Sequence, residues 1–107
     1  MMTDRAKGFS QLIGQIISPF IYDALDIEFF GLPTVTHIKV SKDLSYADVF
    51  ISTMENKEMI EQVLRKHVFN IQKELNQKLQ KRKVPRLRFK ADYTPEKTEK
   101  FNHLMNS

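Results

Sequence analysis

Between Phe9 and Leu25 the apolar residues Phe9, Leu12, Ile13, Ile16, Ile17, Phe20, Ile21, Ala24 and Leu25 recur at helical spacing and predict a helix with a wide buried face. Pro19 has no N–H and crowds the preceding turn. The helix is therefore predicted to kink or restart at Ser18-Pro19, with Ser18 capping and Pro19 in a first helical position. Asp26 to Pro33 carries turn punctuation without a clean period and reads as a connecting loop. Thr34 to Ser41 alternates and is rich in β-branched residues, with Thr36, Ile38 and Val40 on one face and Val35, His37, Lys39 and Ser41 on the other. After a polar turn at Lys42-Asp43-Leu44-Ser45, Tyr46 to Met54 alternates again, and the two runs are expected to pair antiparallel.

Lys57 to Gln80 holds no Gly or Pro, and Ile60, Leu64, Val68, Ile71, Leu75 and Leu79 stack on one face of a long helix for which Asn56 is the expected N-cap. Arg65, Lys66 and Lys73 fall on the far side as a basic ridge. Phe69 breaks the pattern, because an ideal continuous helix sets it roughly 140° from the centre of the apolar stripe. A kink over Val68, Phe69 and Asn70 that buries the ring is the favoured reading, since large aromatics are usually inside and Asn70 tolerates a left-handed backbone. The competing reading leaves Phe69 exposed among cations, where it suits stacking on a base. Pro85 then opens a third strand, with Leu87, Phe89 and Ala91 on one side and Arg86, Arg88 and Lys90 on the other. Thr94-Pro95-Glu96 starts a short final helix running to about Met105.

The chain has 107 residues, enough for a single domain spanning 1–107 with one modest core. Its net charge of +4 conceals a strong polarity. Lys57 to Lys90 contains eleven Lys or Arg against Glu58, Glu61 and Glu74, whereas the remainder is net acidic. That distribution argues about partners rather than fold. The candidates for phosphate contact are Arg65, Lys66, Lys73, Lys78, Lys81, Arg82, Lys83, Arg86 and Arg88. Lys39 and Lys42 are weaker because Asp43 and Asp48 lie close by.

Catalysis finds little support. His37, His67 and His103 are far apart, and no phosphate loop or Ser-centred elbow is present. His37 and His67 read as partly buried polar residues, Asp43 as a capped turn residue and Asp48 as an exposed strand residue. No enzyme activity, metal or cofactor is expected. The chain has no Cys, and no run approaches the roughly 20 apolar residues of a membrane span or the length of a signal peptide, so a cytoplasmic protein is expected.

The order helix, strand, strand, helix, strand, helix gives an α+β fold, a three-stranded sheet with helices on one face, and matches the type II KH domain. Thr34 to Ser52, with Ser41, Asp43, Leu44, Tyr46 and Ala47 at its turn, together with Pro85, Leu87 and Phe89, resembles the bacterial ribosome-binding factor A family. The resemblance implies a KH-like domain without the Gly-x-x-Gly loop, its long helix interrupted by an Ala-x-Gly element that falls here on His67-Val68-Phe69. The family's Asp-Pro-Arg-x-x-Gly becomes Asp26-Ile27-Glu28-Phe29-Phe30-Gly31 in this chain. The implied function is a monomeric, non-enzymatic assembly factor that binds the immature small ribosomal subunit and its rRNA. It would assist 16S rRNA processing and subunit maturation, including adaptation to cold, with a ribosome-associated GTPase as a further partner. The alternative is a basic interaction module that docks on an acidic protein.

Overall fold

The computed structural model describes residues 4–80 and 82–94. Helix α1 (Asp4–Ala24) leads into a short helix α2 (Ile27–Phe30) and a hairpin of β1 (Thr34–Val40) and β2 (Tyr46–Ser52). A 3-10 turn (Lys57–Met59) and helices α3 (Ile60–Arg65) and α4 (Val68–Lys78) then carry the chain to β3 (Arg86–Ala91). The predicted helix from Pro95 and the candidate Lys81 lie outside the described residues.

Helix α1 is continuous, so the restart expected at Ser18-Pro19 does not occur. Ile13, Ile17, Ile21 and Leu25 hold the helix to the core at steps of four, and each is buried. Pro19 deprives only the Gln15 carbonyl of its donor, and both residues are exposed, so water can take the N–H group's place. The Ser18 hydroxyl bonds back to the Gly14 carbonyl at 2.5 Å instead of capping a new helix.

The expected loop at Asp26–Pro33 contains the turn α2. Asp26 accepts a hydrogen bond from the Glu28 N–H at 3.0 Å and thereby caps this turn, which delivers Phe30 into the core. Four residues are too few to display a period. Asn56, the expected N-cap of the long helix, has a left-handed backbone (φ 57°) and makes no capping bond.

The sheet order is β1-β2-β3, antiparallel between β1 and β2 and parallel between β2 and β3. A bulge between Val35 and His37 makes Thr36 an extra residue, which moves it off the face shared by Ile38 and Val40. Its hydroxyl instead bonds the Asp92 carboxylate and the Phe50 carbonyl. Among the described residues, helices cover one face only. Ile38, Ala47, Val49, Ile51 and Leu87 meet Ile13, Ile17, Ile60, Leu64, Ile71 and Leu75 in a single core. At roughly 1.5–3 kcal/mol for each large aliphatic side chain fully buried, this seal dominates the fold.

Helices α3 and α4 also close the free edge of β3. Gln72 accepts from the Leu87 N–H at 2.8 Å and donates to the Pro85 carbonyl at 3.1 Å, while Glu61 accepts from the Ala91 N–H at 3.1 Å. Side chains thus occupy hydrogen-bonding positions that an unpaired edge would offer to another strand.

Gly31 has φ 75° and ψ −173°, a conformation essentially reserved for glycine, and an added Cβ would lie 2.9 Å from Met54 Cβ. Gly31→Ala is expected to destabilise the fold by about 1–3 kcal/mol in urea titration. An unchanged midpoint would contradict this geometry.

Candidate nucleic-acid interface

The long helical pattern is divided at Lys66–His67, ahead of the Val68-Phe69-Asn70 kink expected from the sequence. No left-handed residue is involved, since His67 has φ −108° and ψ −6°, and Asn70 lies inside α4. Helix α4 begins at Val68 with the apolar stripe still in phase, so Ile71, Leu75 and Leu79 stay buried and Phe69 stays on the opposite side. Phe69 is 78% exposed, which overturns the expectation that a kink would bury it. Lys73 lies one turn further along the same exposed face.

Beyond α4 the chain is fastened to the turn between β1 and β2. The Ser41 hydroxyl donates to the Asp43 carboxylate at 2.9 Å and accepts from the Ser45 and Tyr46 N–H groups, both at 3.0 Å. Leu44 adopts φ 61° to complete the turn. The Lys83 ammonium donates to the Asp43 carbonyl at 2.8 Å, and the Arg86 N–H donates to the Ser45 carbonyl at 2.8 Å. A groove of about 490 Å³ results, lined by Ser45, Tyr46, Gln72, Asn76, Lys83, Val84 and Arg86. Gln72, Asn76 and Tyr46 were not among the phosphate-contact candidates, which were chosen by charge. The Gln72 amide is spoken for by the β3 edge and by a 3.1 Å bond to Asn76.

The candidate cations divide into groups. Arg65 and Lys66 stand at the helix break, Lys73 and Lys78 on the exposed side of α4, and Lys83 and Arg86 at the groove. Arg82 turns toward α1, its guanidinium carbon 5.9 Å from the Phe9 ring centre. Arg88 leaves the flank altogether. It lies on the open face of the sheet, bonded to Asp48 at 2.6 and 3.2 Å and stacked 4.3 Å from the Tyr46 ring centre. Asp48, expected to be exposed, is mostly covered and also lies 3.7 Å from the Lys90 ammonium. A guanidinium already shared between a carboxylate and a ring has little left for a phosphate. By contrast, Arg65, Lys66, Lys73, Lys78 and Arg86 are exposed and have no ion pair or side-chain hydrogen bond among the described residues. His37, expected to be partly buried, is exposed on the open sheet face beside Phe50, with ring centres 5.7 Å apart. No group of three metal-binding side chains occurs among the described residues, and no described helix is long and apolar enough to cross a membrane.

The family model for ribosome-binding factor A matches residues 5–105. The chain belongs to the ribosome-binding factor A family. It is 34% identical to ribosome-binding factor A of Psychrobacter cryohalolentis, across 98% of this chain and 84% of that relative. Identity to ribosome-binding factor A of Mycoplasmopsis pulmonis is also 34%, across 87% of this chain and 80% of that one. In fold it is similar to the crystal structure of ribosome-binding factor A from Thermus thermophilus, with a TM-score of 0.68 and 22% identity over 80% of this chain and 93% of that one. It is also similar to a Thermus thermophilus ribosome-binding factor A homology model fitted into a cryo-electron microscopy map of a 30S complex, with a TM-score of 0.61 and 23% identity over 78% and 94% of the two chains. The α+β arrangement with KH-like order is thus a property of this family, and the Ser41–Ala47 turn is what holds Lys83 and Arg86 in place here.

Hydrogen bonds from the Ser45 side chain and backbone and from Ser41, helped by nearby Lys83, lower the Asp43 pKa from 3.8 to about 2. A carboxylate with a depressed folded pKa stabilises the fold above its unfolded pKa, and this contribution fades as pH falls through the folded value. Asp43→Asn is therefore expected to be less stable than the parent chain at pH 7. The gap should close between about pH 4 and pH 2 in urea titrations. A pH-independent gap would mean that the carboxylate charge is irrelevant to the turn.

Proposed function

We propose that the chain is an assembly factor that binds the immature small ribosomal subunit through rRNA contacts made by one basic flank, without catalysing a reaction. The flank runs from the helix break at Arg65 and Lys66 along α4 to the groove at Lys83 and Arg86. The observation that carries this reading is the exposed Phe69 on a helical segment whose exposed Arg65, Lys66, Lys73 and Lys78 have no ion pair among the described residues, in a chain of this family. The related Thermus thermophilus protein is described in a 30S complex, which supports the same partner here.

Physically, Lys and Arg that neutralise phosphates release counterions, giving affinity that depends steeply on salt and little on sequence. Phe69 offers a face for an unpaired base, and single-stranded or looped RNA supplies such bases. In this reading the fold acts by placement, holding an rRNA segment until the subunit matures. Support for 16S rRNA processing and for cold adaptation comes from family likeness alone, as does release by a GTPase. A monomer in the cytoplasm is the accompanying expectation.

Binding to single-stranded segments of small-subunit rRNA should lose roughly 0.7 decades of affinity per decade of salt for each phosphate contacted. Lys66→Glu with Lys73→Glu should weaken it roughly tenfold or more, because two attractions become repulsions. Replacing the ion pair by Asp48→Asn with Arg88→Gln should change affinity less than about twofold, since that guanidinium is already engaged. Affinity indifferent to both salt and the Lys66 and Lys73 reversals would instead favour the protein-docking alternative.

A further inference from the structure

The end of the molecule built from α2 and the segment after β2 has the opposite chemistry to the basic flank. The Phe30 carbonyl accepts from the N–H groups of Met54 at 3.1 Å and Glu55 at 3.0 Å, and the Asn56 amide donates to the Phe29 carbonyl at 2.7 Å. Gly31 allows the two segments to touch. This interlock turns four apolar side chains outward, with Met54 81%, Leu32 64%, Ile27 60% and Phe29 44% exposed. Single exposed apolar residues need no explanation, but four on one interlocked pair of segments form a patch of the kind found where proteins meet. The core does not require them, because Phe30 is the residue of this turn that enters it.

Charge narrows the choice of occupant. Residues 22–33 and 52–58 contain Asp23, Asp26, Glu28, Glu55 and Glu58 against the single base Lys57. That base is directed at the Tyr93 ring, 5.7 Å from its centre, and lies near Asp92. A phosphate backbone would be repelled here. A second copy presenting its basic flank would make a head-to-tail contact, which builds rings or filaments rather than a symmetric pair.

We propose that this apolar, acid-rimmed face docks a basic protein, one that offers an apolar side chain ringed by Lys or Arg. The face then works independently of the RNA-contacting flank, and complementary charge at its rim sets orientation and encounter rate while the apolar centre supplies the contact.

The test rests on the small-subunit reading only for its probe, the RNA-free proteins extracted from purified small subunits. The immobilised full-length chain is expected to retain one or more identified basic proteins. Leu32→Ser with Met54→Ser, or Glu28→Lys with Glu55→Lys, should cut retention about tenfold, while Lys66→Glu with Lys73→Glu should leave it unchanged. All these positions are exposed, and circular dichroism with urea titration verifies that each variant folds. The proposal is overturned if no basic protein is retained, if the patch variants retain as much as the parent, or if flank and patch variants lose retention equally. It is also overturned if the parent chain self-associates in sedimentation and the patch variants abolish that self-association. Retention of a basic protein by a chain that fails to bind rRNA would sink the small-subunit reading and leave the docking face standing. The reverse result would remove the docking face alone.

Discussion

The parallel pairing of β2 with β3 is the constraint on which the rest of the molecule depends. Strands that run the same way cannot be joined by a tight turn, so the chain must travel back along the sheet before β3 can begin. Here α3 and α4 make that return, and the segment between β2 and β3 holds eight of the 17 Lys and Arg. Because the return lies over the core and beside β3, its apolar stripe seals one sheet face and its remaining surface becomes the flank of the molecule. Concentration of charge is therefore a consequence of connectivity. A basic stretch of the same composition placed in a hairpin would have been divided between the two faces of the sheet.

Connectivity also explains why the cations do not all share that flank. Along β3 the side chains alternate, so Leu87 points into the core while Arg86 and Arg88 point to the open face. The register sets Arg88 opposite Asp48, whose carboxylate it binds, and the ring of Tyr46 lies beneath its guanidinium. Arg86, one step nearer the start of the strand, stays at the rim where the Ser41–Tyr46 turn meets α4. Two arginines two residues apart thus have different tasks, one tying strands together and the other facing a groove. No property of either residue alone distinguishes them; the difference lies in what the neighbouring strand places opposite each.

That contrast marks where the sequence could be read and where it could not. The element order, the two alternating runs, the buried stripe of the long helical segment and the Ser41–Ala47 turn were legible, because each repeats a period or concentrates turn chemistry within a few residues. Four features were not. The turn α2 is shorter than a helical period, and the continuity of α1 through Pro19 depends on which carbonyl faces water. The bulge at Thr36 displaces side chains by a single residue, and the exposure of Phe69 follows from a break that keeps the apolar stripe in phase. On the helix before the break or the one after it, Phe69 lies more than about 100° from the buried stripe. For the interface, charge located the cations but could not see that Arg88 was already committed, and it overlooked the uncharged Gln72 and Asn76 that shape the groove.

The two ends of the molecule also act over different distances. Exposed charges are felt across roughly 10 Å at 0.1 M salt, whereas apolar contact requires surfaces to touch and expel water. A cationic flank separated from an acidic, apolar end gives the molecule an orientation in the field of a polyanion before any contact forms, with the flank drawn inward and the acidic end turned away. In the proposed arrangement the acidic end is then presented to the non-nucleic-acid surface that borders the RNA, where its exposed apolar residues Met54, Leu32, Ile27 and Phe29 would make contact. Glu28 extends the acidic surface around α2, so that in this proposal electrostatic orientation and short-range docking are carried by different parts of one small domain.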